Sequence, residues 1–180
     1  MNDIDNLASS LLEQAKRFRE IAAEQKGKDG EFPYCVAALL SGFSALEAHV
    51  NAVAEELSER KECGLLEKSI LLEKEVKLVS GKYSLTKTLK MYRLEDRISF
   101  IVKNFSTEHF PPKGTWWGEF SQATQLRNDL VHPKDKVVVD VDVVERALSA
   151  ILELLEYIYR AVFKKGYPAY NRKMHSNQTF

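Results

Sequence analysis

Four side chains suited to proton transfer or phosphate binding fall within six residues: Arg127, Asn128, Asp129 and His132, followed by Pro133 and Lys134. A guanidinium grips phosphate oxygens through a planar fork of donors. An imidazole exchanges a proton near neutral pH and can act as general acid or base. Together they suit phosphodiester cleavage. Arginine would steady charge on the transition state, and histidine would take a proton from a ribose 2′-hydroxyl or give one to the leaving oxygen. That scheme calls for no metal or other cofactor.

Positioning these groups requires a helix that ends at the right residue. Phe120, Ala123, Leu126 and Leu130 recur at helical spacing, so a helix is predicted over about 118–131. Pro133 disfavours the α conformation of the residue before it and leaves His132 at the helix C-terminus, where unpaired carbonyls favour a cation. Asn128 and His132 are four apart and share a face, and Asp129 and His132 are three apart and can meet. Arg127 lies about 140° round the axis from His132.

The rest of the chain reads as helices. The pattern predicts helices over about 4–25, 34–62, 65–79 and 85–105 (in one or two pieces), and a last one that starts at Asp142 and buries Val144, Leu148, Ile151, Leu155, Ile158 and Val162. In the first, Ile4, Leu7, Leu11, Phe18 and Ile21 form the apolar face. The second is the central one, with Val36, Leu39, Leu40, Phe43, Leu46, Val50, Val53 and Leu57 on a broad apolar face. Glu47 lies on or beside that stripe, one turn from Phe43 and Asn51, and a carboxylate there needs a partner. The last helix has Asp142 as expected N-cap, with Glu145 three residues on. The expected fold is all-α, an up-and-down bundle with additional helices. Residues 1–165 form the domain, and 166–180 a flexible polar and basic tail.

The segment Leu126-Arg127-Asn128-Asp129-Leu130-Val131-His132-Pro133 resembles the R-x-x-x-x-H signature of the HEPN superfamily, including its frequent polar residue after the arginine. Ser44-Ala45-Leu46-Glu47-Ala48-His49-Val50-Asn51 is similar to an earlier helix in several of these families. Some toxin members carry a tyrosine two residues after the histidine, where this chain has Lys134. The resemblance implies a HEPN-like bundle and metal-independent endoribonuclease activity, often in toxin–antitoxin or anti-phage systems. It implies Arg127 and His132 as the catalytic pair, Asn128 as supporting polar group and Glu47 as a second-helix partner. It also implies RNA as substrate, a homodimer with a composite site, and a cognate antitoxin or defence-system partner. The alternative is a non-catalytic module of the same fold that binds RNA, a nucleotide or a protein.

Further expectations are more general. Trp116 and Trp117 could stack on bases, and Lys134 could contact the RNA; the plainer role for the tryptophans is to anchor a loop on the bundle. The chain has 180 residues, 44% hydrophobic and 29% charged, with 26 basic and 26 acidic side chains. That balance suits a globular domain and argues against a strong non-specific nucleic-acid binder. The apolar stretch 35–54 is interrupted by Ser41, Ser44, Glu47, His49 and Asn51, so no membrane segment is expected. The N-terminus lacks the pattern of a signal peptide. Cys35 and Cys63 belong to no CxxC, and two reduced thiols in a cytoplasmic protein are expected. His49 and His109 lack partners at metal-ligand spacing, so no metal site is expected.

Overall fold

A computed structural model describes residues 3–180. Its elements in chain order are α1 (Asp3–Glu24), α2 (Glu31–Ser58), α3 (Leu65–Leu71), β1 (Lys74–Val79), β2 (Lys82–Leu89), α4 (Leu94–Phe105), α5 (Thr115–Val131) and α6 (Val141–Phe163), with a 3-10 turn at Tyr170–Arg172. The helical bundle expected from the pattern is present, but the chain is not all-α.

The core forms where the apolar faces of α2 and α6 meet. Leu39, Phe43, Leu46, Val50 and Leu57 of α2 are buried against Leu148, Ile151, Leu155 and Ile158 of α6. Gly42 permits this approach, because a Cβ there would collide with the Leu148 side chain. By length and composition α2 could also cross a bilayer, but just over half of its apolar window is buried inside the bundle, as befits a core helix.

α1 packs along α2 through a different face from the one expected. Ala8, Leu12, Ala15 and Ala22 are fully or almost fully buried, whereas Leu7 is exposed and Leu11 and Phe18 only line the edge. Alanines let two helices approach closely, and the larger side chains are then displaced to the rim.

The helices expected over 65–79 and 85–105 are corrected by a β-hairpin. α3 stops at Leu71, β1 and β2 pair antiparallel, and the helix resumes only at Leu94. Val79 pairs with Lys82 across the two-residue loop Ser80-Gly81. Both loop residues have positive φ, 50° and 79°, which matches the right-handed twist of a tight hairpin. Val76, Leu78, Tyr83 and Leu85 alternate along the strands, a period of two that overrides the weak helical period.

Arg97 of α4 clamps the base of the hairpin. Its guanidinium donates to the Leu71 carbonyl at 2.8 Å, to Glu73 Oε2 at 3.0 Å and to Asn51 Oδ1 of α2 at 2.8 Å. Two further expectations shift in detail. The N-cap of α6 is Asp140, which accepts from Val143 N at 2.8 Å, while Asp142 sits in the first turn and pairs with Lys26. The segment after Gly166, expected as a flexible tail, folds back on the bundle. Tyr167 is buried, Asn177 N donates to Glu13 Oε2 at 2.8 Å, and the Phe180 ring meets Phe18 at 5.4 Å.

Candidate active site

α5 places the polar cluster. Its inward face carries Phe120 and Ala123, both buried, and Arg127 lies seven residues after Phe120, two helical turns on and therefore on the same side. That side looks at α2, where the Phe120 and Phe43 rings are 6.0 Å apart. Arg127 Nη2 donates to Glu47 Oε1 at 3.3 Å. The guanidinium also lies over the Phe43 ring, 5.2 Å from its centre, a favourable place for a cation. Its buried Nε has no hydrogen-bond partner. Glu47 is exposed rather than buried, so the expected demand for a partner does not arise, yet its ion-pair partner is Arg127. Phe43, the floor of the pair, has a sequence signal in its position one turn before Glu47.

The helix ends as Pro133 dictates. His132 caps it with φ −126° and ψ 62°, outside the α region, and its N–H donates to the Asn128 carbonyl at 2.8 Å. The extended segment 133–140 then turns back beside α5. Between them lies a cleft of about 510 Å³, lined by residues that include Asn128, Asp129, His132, Lys134, Lys136 and Val138. The contribution of Lys136 and Val138 has no signal in the motif itself, because it depends on where the chain goes after the proline. Asn128, His132 and Lys134 are exposed. Among the described residues, neither the His132 ring nor the Asn128 amide has a hydrogen-bond partner. Asp129 is turned to Gln125, whose Nε2 donates to it at 2.8 Å, so the expected Asp129–His132 contact is not made.

Arg127 does not line this cleft. The arginine faces Glu47 and Phe43 of α2, and the histidine faces the cleft at the helix end. One chain therefore presents them on two adjoining surfaces.

Trp116 and Trp117 are elsewhere. They sit in the first turn of α5, on the order of 20 Å along the axis from His132. Trp117 packs on Phe110 and Phe120, with ring centres 5.1 and 5.3 Å apart, and Trp116 meets Tyr157 at 6.2 Å. Both are half-buried and belong to an aromatic cluster that fixes the loop before α5, so the structure does not bring them into the cleft.

His49 points into the bundle. Its Nε2 lies 3.0 Å from the Tyr167 hydroxyl and its Nδ1 has no partner. Burial pushes its pKa down to about 4, so the ring is neutral at physiological pH. Cys35 and Cys63 are free, buried thiols, and burial raises Cys35 to about 11, which makes it a poor nucleophile.

None of the family models, curated proteins or solved structures compared with the chain matches it.

Proposed function

We propose that this protein is a metal-independent endoribonuclease of HEPN type that cleaves RNA by attack of a ribose 2′-hydroxyl. The observation that carries the reading is the end of α5. There an unpaired, exposed imidazole opens onto a cleft, five residues along the helix from a guanidinium held by Glu47 and Phe43.

In this mechanism His132 removes the proton of the 2′-hydroxyl as the 2′-oxygen attacks phosphorus. The bond from phosphorus to the 5′-oxygen breaks, that oxygen takes up a proton from solvent water, and His132 gives the proton it removed back to solvent. The products are a 2′,3′-cyclic phosphate and a 5′-hydroxyl. Arg127 neutralises charge gathering on the phosphoryl oxygens, and Asn128 orients the phosphate or the ring. Lys134 and Lys136, on the wall of the cleft, hold flanking phosphates. Pairing of two copies in a homodimer sets the arginine of one beside the histidine of the other. Toxin–antitoxin or anti-phage defence is the setting that the resemblance suggests.

The test is cleavage of diverse RNA in EDTA by wild type, Arg127→Ala and His132→Ala, with end-group analysis. We expect cyclic-phosphate ends from the wild type and a loss of at least about a hundred-fold in each variant. Intact RNA with folded wild-type protein rejects the reading.

One observation favours a second reading, a non-catalytic helical module that binds RNA, a nucleotide or a protein. Arg127 is already paired and does not share the cleft with His132. On that reading both variants change binding or stability, and there is no cleavage to lose.

A further inference from the structure

We propose that the β1–β2 hairpin is an RNA-binding arm, whose lysines hold the phosphates of a single strand while Tyr83 offers a face to a base. Residues 74–93 contain Lys74, Lys77, Lys82, Lys87, Lys90 and Arg93 but one acid, Glu75, in a chain of zero net charge. Little of that charge is neutralised. Lys77 pairs with Glu75 at 3.0 Å on the surface, and Lys90 lies over the Tyr92 ring. Lys82 and Lys87 are exposed and have no acidic partner among the described residues. The flanking acids are Glu73 at the base, which is engaged by Arg97, and Glu95 and Asp96 in the first turn of α4, where they complement the helix N-terminus.

The register sorts the tip into two faces. Leu78 pairs with Tyr83, Lys77 with Ser84 and Val79 with Lys82, so Lys77, Lys82 and Ser84 share one face and Leu78 and Tyr83 the other. Tyr83 is 71% exposed. A two-stranded ribbon cannot bury its own faces, so exposure alone is expected. The concentration of one sign of charge is not, and it complements a polyanion. The lysines of one face can hold the phosphates of a single strand that wraps the tip, and the exposed Tyr83 ring on the other face can stack on one of its bases.

The arm is also tied to the candidate site. Arg97 joins its base to Asn51, and Asn51 is one turn, about 6 Å along the axis, from Glu47, the partner of Arg127. The base of the arm and Arg127 therefore flank one edge of α2, within reach of a strand a few nucleotides long. The choice of RNA over other polyanions rests on the ribonuclease reading.

The experiment measures binding apart from cleavage. A fluorescent single-stranded RNA 20-mer is titrated at several salt concentrations with His132→Ala protein, alone or carrying Lys77→Gln, Lys82→Gln and Lys87→Gln together. Lys28→Gln, on the α1–α2 turn, is the control. We expect the triple change to weaken binding roughly ten-fold or more and to reduce the slope of log K against log[salt] by about 2, with the control unchanged and all proteins equally helical. Equal affinity and slope in the triple variant overturn the proposal. So does loss of binding to vesicles containing phosphatidylserine with RNA binding intact, which would make the arm a membrane-surface element. If the triple change weakens RNA binding but the wild type cleaves nothing in EDTA, the arm stands and the ribonuclease reading falls.

Discussion

Among the described residues Arg127 has one salt-bridge partner, Glu47, and the pair is partly open to solvent, with side chains 25% and 51% exposed. Such a pair adds little to stability, so its value is positional. Glu47 and the Phe43 ring together fix the plane and reach of the guanidinium. Glu47→Ala should lower kcat about ten-fold with little change in KM, and Glu47→Gln, which keeps the acceptor, should restore most of the loss. Unfolding free energy should move by less than about 1 kcal/mol. A fall in stability that accounts for the lost rate would mark Glu47 as merely structural. The buried His49 makes a separate prediction. It is protonated near 6.5 in the unfolded chain but only near 4 in the fold. Between those values the unfolded chain binds more protons, so stability drops as pH falls through that window. The loss is on the order of 3 kcal/mol. Denaturant unfolding at pH 7 and pH 4.5 should show a flatter dependence in His49→Gln than in wild type; identical dependence would refute the assignment.

At the scale of elements, α1 carries an ionic cluster that holds the C-terminal segment. Glu13 accepts from the fully buried Lys16 at 3.1 Å and from Asn177 N at 2.8 Å, and forms an ion pair with Arg172 at 3.2 Å. Burial pulls the Lys16 ammonium below its ordinary pKa, with Glu13 opposing that shift. Glu13→Ala would strand a buried cation and release residues 172–178, at a cost of about 3–5 kcal/mol. Adding Lys16→Met should recover much of that loss. Urea unfolding measures the energies, and amide exchange at Ser176 and Asn177 reports whether the segment detaches. No recovery in the double variant would mean that the cluster acts through packing rather than charge. The lysines and polar residues of this segment look mobile in one dimension, and their partners on α1 are more than 150 residues away. The hairpin was hidden for a different reason. Val76, Leu78, Tyr83 and Leu85 alternate, but Leu71, Leu72, Val76 and Val79 also fit a loose helical stripe, and Ser80-Gly81 serves as a helix stop as readily as a tight turn.

For the whole molecule, the separation of Arg127 and His132 onto adjoining surfaces gives the proposed dimer a sharp test. If each site takes its arginine from one copy and its histidine from the other, a heterodimer of Arg127→Ala with His132→Ala contains one intact site. Mixing the two inactive proteins should then restore measurable cleavage, and light scattering should show the dimer. Restored dimers without restored cleavage would place both groups of each site in the same chain.

The sequence by itself determined the helical bundle, because long apolar stripes of period 3.6 must bury one face. It also determined the end of α5 at His132, because Pro133 acts on its immediate neighbour. The place of Glu47 beside the apolar stripe was legible too, but not its exposure: half open to solvent, it does not need the partner that a buried carboxylate would. Which partner it found, the Phe43 floor, the wall of the cleft from Lys136 and Val138, and the fastening of the C-terminal segment were decided only by tertiary structure. Each of these depends on distances between elements far apart in the chain, and local periodicity carries no information about them. The distance of Trp116 and Trp117 from the polar cluster follows from the length of one helix, but their place in an aromatic cluster with Phe110 and Tyr157 was decided by packing between elements.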